Sequence, residues 1–126
     1  MCFTFTKEER LYGHIALDNV YNNGKHLQID SVKIIYLEVP KGDFPPCRIV
    51  FSVPKRAFKK AVERNLLKRR MREIYRLEKH LLYNHPNEKE KKIHIYMIYV
   101  SKTIIPFDEL KDGILKALKT LVNRLN

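Results

Sequence analysis

Glycine, cysteine and acidic residues are all scarce in this chain, which has four glycines, two cysteines and 14 acids among 126 residues. So few glycines leave no G-x-x-x-x-G-K-[ST] loop to cradle phosphates, which excludes nucleotide hydrolysis of that type. Cys2 and Cys47 form no C-x-x-C pair and read as unpaired thiols with no role. Asp18, Asp30, Asp43 and Asp108 are scattered and no H-E-x-x-H spacing occurs. The carboxylate cluster of a two-metal nuclease is therefore not expected. His14, His26, His80, His85 and His94 have no partner motif and read as surface or packing histidines. Long apolar runs are missing too, none approaching the roughly 18 residues that cross a bilayer. The start, Met1 to Phe5, lacks the basic flank and apolar stretch of a signal peptide, so the expected location is the cytoplasm, without membrane attachment.

What is abundant is positive charge. Lys and Arg number 25, giving a net charge of +11 and implying a polyanionic partner rather than a small-molecule substrate. Residues 55–76 alone carry ten basic side chains against two acids, Glu63 and Glu73, and so supply +8 of that +11. An ordinary solvated face mixes the two signs; this window does not. With 44% hydrophobic and 31% charged residues the chain has the apolar area to fold, and its length fits a single domain over residues 1–126.

The order of elements follows from local signals. Thr6-Lys7-Glu8-Glu9 fits a capping box and predicts a short helix after it, ended by Asn22-Asn23-Gly24 through a left-handed residue. Residues 27–39 and 48–53 are rich in Ile and Val and read as strands, up to three of them, separated by a turn at Lys41 to Pro46. A long helix is predicted from about Phe58 to Leu82, then a polar loop over Asn84 to Lys92 that contains Pro86. Ile93 to Val100 reads as a further strand. Pro106 and Phe107 open a last helix in which Leu110, Ile114, Leu118, Leu121 and Leu125 form one buried stripe.

The central helix carries the chemistry. Arg64, Lys68, Arg72 and Arg76 recur at i, i+4, which lines them along one face, and Asn65 and Arg69 widen that stripe. Leu67, Met71, Ile74 and Tyr75 occupy a separate arc, so the helix is expected to bury one side and turn its cations outward. Like charges at this spacing repel by a few tenths of a kcal/mol per pair, roughly, and a bound polyanion relieves that repulsion. Arginine forks hold phosphate with two hydrogen bonds, and Asn65 adds a donor and an acceptor for a sugar or base edge.

Phe51-Ser-Val-Pro-Lys-Arg56, followed by Ala61-Val-Glu-Arg-Asn-Leu-Leu-Lys-Arg-Arg-Met-Arg-Glu-Ile-Tyr75, resembles the signature of the bacterial ribonuclease P protein family. The Lys-Glu-Glu-Arg-Leu start and the Phe-Asp-Glu-Leu segment near the end fit as well, so the resemblance covers nearly the whole chain. It implies an α/β sandwich in αβββαβα order, with a mostly antiparallel four-stranded sheet, helices packed on it and a left-handed βαβ crossover. It also implies a non-catalytic subunit that works with a catalytic RNA to remove the 5′ leader of precursor tRNA. Hydrolysis would be done by that RNA with its magnesium, the protein itself holding no cofactor or metal. On the ribozyme side the resemblance places Arg64, Asn65, Lys68, Arg69 and Arg72, helped by Lys55, Arg56 and Lys59. Leu17, Tyr21, Lys33, Ser52 and Lys55 fall to a cleft for the single-stranded leader.

Three positions depart from the family pattern, as does the segment Phe58-Lys59-Lys60, which replaces a shorter glycine-containing turn. Leu17 stands where an aromatic commonly lines the cleft, Leu66 replaces the second arginine of an Arg-Asn-Arg triplet, and Pro54 replaces a serine. Either Lys33 or Ile35 is a candidate to face the cleft, because a one-residue change of register reverses the face. Two rival readings are a ribosomal or other structured-RNA-binding protein, which needs no leader cleft, and a protein whose basic amphipathic helix lies on anionic lipid.

Overall fold

The computed structural model describes residues 9–39, 47–83 and 92–125. Outside them lie Cys2, the capping-box residues Thr6 to Glu8, the Lys41 to Pro46 turn and the Pro86 loop. The elements are α1 (His14–Asn23), β1 (Lys25–Ile29), β2 (Val32–Val39), β3 (Cys47–Ser52), α2 (Ala61–Glu78), α3 (His80–Tyr83), β4 (Lys92–Tyr99) and α4 (Phe107–Leu125).

The strands form one sheet in the order β1-β2-β4-β3. β2 is antiparallel to both β1 and β4, whereas β3 and β4 run parallel and are joined through α2. The apolar stretch at residues 27–39 is split into β1 and β2 by Asp30, which adopts a left-handed φ of 52°. An aspartate tolerates that conformation, so a tight turn forms without glycine.

Alternation along the strands gives the sheet two different faces. One carries Leu27, Ile34, Tyr36, Ile49, Phe51, Ile95, Met97 and Tyr99, covered by Leu67, Met71, Ile74 and Tyr75 of α2 and Leu110, Ile114, Leu118 and Leu121 of α4. Complete burial of a side chain of this size is worth about 1.5–3 kcal/mol, which makes this layer the main source of stability. Between the opposite face and α1 lies a smaller cluster, Ile35 of β2 with Leu11 and with Val20 of α1.

Three local expectations are corrected. Helix α1 begins at His14, and Arg10 instead bridges Ile49 in parallel beside β3, with Leu11 N–H donating to Ile49 O at 2.9 Å. Leu11 thereby reaches the small cluster, and Gly13, at φ 97°, redirects the chain into the helix. Gly24 closes α1 with an extended backbone, not a left-handed one. Its value lies in close approach, since a Cβ there would stand 2.5 Å from Val20 O and 2.7 Å from Ile35 Cγ2. Finally, the long helix starts at Ala61 and is interrupted at Lys79. Phe58 turns into the core, its ring 5.7 Å from that of Tyr99, which keeps residues 54–60 out of the helix.

Candidate nucleic-acid interface

Helix α1 spans the sheet crosswise. Leu11, just before it, is bonded to β3 at Ile49, and Gly24, just after it, abuts Ile35 and Tyr36 of β2. Strand register sets out the floor beneath in rows. Ile35, Tyr96 and Val50 are cross-strand neighbours; Lys33, Ile98 and Ser52 form the next row on one side, and Leu37, His94 and Arg48 the next on the other. Burial, and after it the Arg48 guanidinium, holds His94 below the usual imidazole range.

The register places both Lys33 and Ile35 on the α1 face. Ile35 is wholly buried there, so of the two only Lys33 keeps a part-exposed side chain. Ser52 shares its row and is also part-exposed. Leu17 packs into the small cluster, while Tyr21 is 56% exposed, with its ring inclined at 63° to that of Tyr96 and centroids 6.1 Å apart. Tyr96 was not singled out by sequence patterning; the signal available was the alternation His94, Tyr96, Ile98, which gives β4 a second, less buried face. Lys55 and Arg56 are exposed in the turn joining β3 to α2, and Lys59 is exposed just before α2 begins.

Helix α2 does not turn all its cations outward. Each i, i+4 step advances about 40° around a helix, so the four-residue series wraps about 120° from Arg64 to Arg76. Arg64 consequently lies toward the core side, where its Nη1 donates to the carbonyls of Phe58 at 2.7 Å and Lys59 at 2.9 Å. Arg76 is bound by Glu73 through two hydrogen bonds, of 2.6 and 3.1 Å, and that contact holds the Glu73 carboxyl below its ordinary range. Arg70 reaches the carbonyl of Ile105 at 3.4 Å. Asn65, Arg69 and Arg72 are exposed, with Lys68 half-buried beside them. The apolar arc of α2 is consumed by the core, with Leu67, Met71 and Ile74 fully buried, while Val62 in its first turn is exposed. Among the described residues no helix is long and apolar enough to cross a membrane, and no three His, Cys, Asp or Glu side chains are grouped to hold a metal ion.

The molecule thus presents an Arg/Asn helix face and, on the other side of the sheet, a part-apolar floor rimmed by Lys33, with Lys55 and Arg56 in the connecting turn. A family model described as Ribonuclease P matches residues 5–126. A protein from Porphyromonas gingivalis strain W83, named Ribonuclease P protein component, is 31% identical over 116 residues, covering 92% of this chain and 85% of that one. The solved structure of the RNase P protein from Thermotoga maritima superposes with a TM-score of 0.69 at 26% identity, over 89% of this chain and 96% of the other. The Staphylococcus aureus RNase P protein, at 19% identity, shares the fold with a TM-score of 0.70 over 90% and 94% of the two chains. The matched length and the identity to relatives of that name agree with the two-faced α/β sandwich, and this chain belongs to the ribonuclease P protein family.

Proposed function

We propose that this protein is the RNA-binding subunit of ribonuclease P and assists a catalytic RNA in removing the 5′ leader from precursor tRNA. Family membership supports the role in tRNA 5′ processing with that RNA, and the observation that carries the finer reading is the separation of two surfaces by the sheet. The exposed Asn65, Arg69 and Arg72, with Lys68, Lys55, Arg56 and Lys59, supply cations for the structured RNA, each phosphate contact releasing condensed counterions. Arg64 joins them through the turn it organises. On the α1 face, Tyr21 offers a ring to an unpaired base, and Leu17, Lys33, Ser52 and Lys55 line the remainder of the leader path. Stacking is tolerant of sequence, which suits an enzyme that meets many different leaders.

In this reading the protein acts by positioning and charge neutralisation, and hydrolysis belongs to the RNA and its magnesium. The place of action is the cytoplasm, where the two RNAs are met. The test is cleavage of precursor tRNA at near-physiological magnesium by the organism's ribonuclease P RNA, with and without this protein, and by the protein alone. Efficient cleavage by the pair only is expected. Cleavage by protein alone would overturn the non-catalytic assignment, and failure to stimulate the RNA would favour a general structured-RNA-binding protein.

A further inference from the structure

The floor under α1 is only partly roofed. Ten residues of helix stand against a sheet whose opposite face is covered by two helices of 18 and 19 residues. As a result Val50, Tyr96 and Ile98 remain part-exposed around the small cluster. Tyr96 holds the centre of this opening, on the strand flanked by β2 and β3 and one row from Lys33 and Ser52. Part-exposed apolar side chains side by side at the middle of a sheet make this a candidate binding surface. The chain's +11 charge and the neighbouring Lys33 favour a polyanion with apolar faces, which describes unpaired RNA.

We propose that Tyr96 is a second base-stacking ring, so that an unpaired RNA segment crossing this face sets one base on Tyr21 and the next on Tyr96. The inference rests on the leader-binding reading given above. Rings inclined at 63° cannot both lie flat on one base, so two rings call for two bases. Bases lying on rings so inclined cannot keep the parallel stack of a duplex strand, so the bound strand is unstacked and single, and Lys33, one row from Tyr96, supplies the nearby positive charge. The side chain of Leu17, apolar but not aromatic, leaves the floor rather than α1 to provide the second ring.

Photocrosslinking in the assembled enzyme tests this without altering the protein. Precursor tRNAs carry 5-iodouridine at single leader positions, and crosslinked peptides are mapped by mass spectrometry. One position is expected to crosslink to Tyr21 and its neighbour to Tyr96; absence of Tyr96 crosslinks at every leader position overturns the proposal. In parallel, Tyr96→Ile, which keeps an apolar strand former, should weaken precursor binding on the order of tenfold and leave mature tRNA binding unchanged. Tyr96→Phe should bind as the unaltered protein does. Equal losses on precursor and mature tRNA would return Tyr96 to a packing role. If the unaltered protein shows no preference for a leader at all, the leader reading itself falls; if it does and Tyr96→Ile matches it, only the role of Tyr96 falls.

Discussion

Lys79 Nζ donates to both carboxylate oxygens of Glu9, at 2.9 and 2.8 Å, across 70 residues of sequence. Both residues are buried, with 5% and 3% of their surface exposed. Glu9 precedes the segment that bridges β3 and leads into α1, and Lys79 follows α2. The pair therefore ties the entry to the cleft helix to the end of the basic helix. Removing one partner leaves a buried charge, so Lys79→Met or Glu9→Gln should each cost about 3–5 kcal/mol in urea denaturation. The double replacement Glu9→Leu with Lys79→Met should recover most of that loss, because two apolar groups in one place leave no uncompensated charge. A double variant as unstable as the singles would show that the pair itself, and not the uncompensated charge, carries the stability.

Gly24 fixes where α1 lies on the sheet. The nearest atoms to an added Cβ include two backbone carbonyl oxygens, Val20 O at 2.5 Å and Tyr36 O at 2.9 Å, which cannot rotate away as a flexible side chain would. Gly24→Ala should therefore lift the end of α1 and cost about 1–3 kcal/mol, the range for overpacking, measured by thermal melting. Because Tyr21 lies three residues earlier, precursor binding should fall more than mature tRNA binding. Gly13→Ala, strained by its φ of 97° but with nothing within 4 Å, should lower stability and spare that selectivity.

These relationships also show where sequence reasoning stops. The burial stripes of α2 and α4 and the Ile/Val strands were legible because hydrophobic period reports directly on which side of an element is buried. The β1–β2 turn was not, because Ile29-Asp30-Ser31-Val32 holds neither glycine nor proline. The contacts of Arg64 with the Phe58 and Lys59 carbonyls were not legible, because i, i+4 spacing is a slow spiral rather than a straight line. Nothing in the sequence pairs Glu9 with Lys79, and only tertiary structure brings them together. Tyr21, Lys33 and Ser52 were named through resemblance; their common face follows from the strand register and the crossing of α1.

Cys47 lies wholly buried at the start of β3, where burial above all, and then the Glu9 carboxylate, push its thiol up to about 12. In a Cys2→Ser background, thiol reagents at pH 8 should react with Cys47 only as fast as the protein unfolds, and urea should accelerate the reaction. The folded state holds this proton more tightly than the unfolded chain, whose thiol ionises near pH 9. Stability should therefore fall as pH rises from about 9 toward 12, and a Cys47→Ala variant should lack that part of the decline. Fast labelling of the folded protein at pH 8 would contradict the buried placement.

The division of labour among the α2 cations leads to two distinct losses. Arg69 and Arg72 are exposed, so the Arg69→Ala, Arg72→Ala double variant should fold normally yet bind ribonuclease P RNA more weakly, with the salt slope reduced by roughly two contacts. Arg64 holds the carbonyls of Phe58 and Lys59 and should instead cost stability when truncated, about 1.5–3 kcal/mol for each charge-assisted bond lost and less where water replaces it. Its effect on RNA binding should appear mainly through displacement of Lys59 and the preceding turn. Arg64→Lys keeps the charge but loses the two-pronged contact, so it should resemble Arg64→Ala in melting temperature. A normal melting temperature for Arg64→Lys, together with a lowered salt slope for Arg64→Ala, would make Arg64 a direct phosphate contact after all.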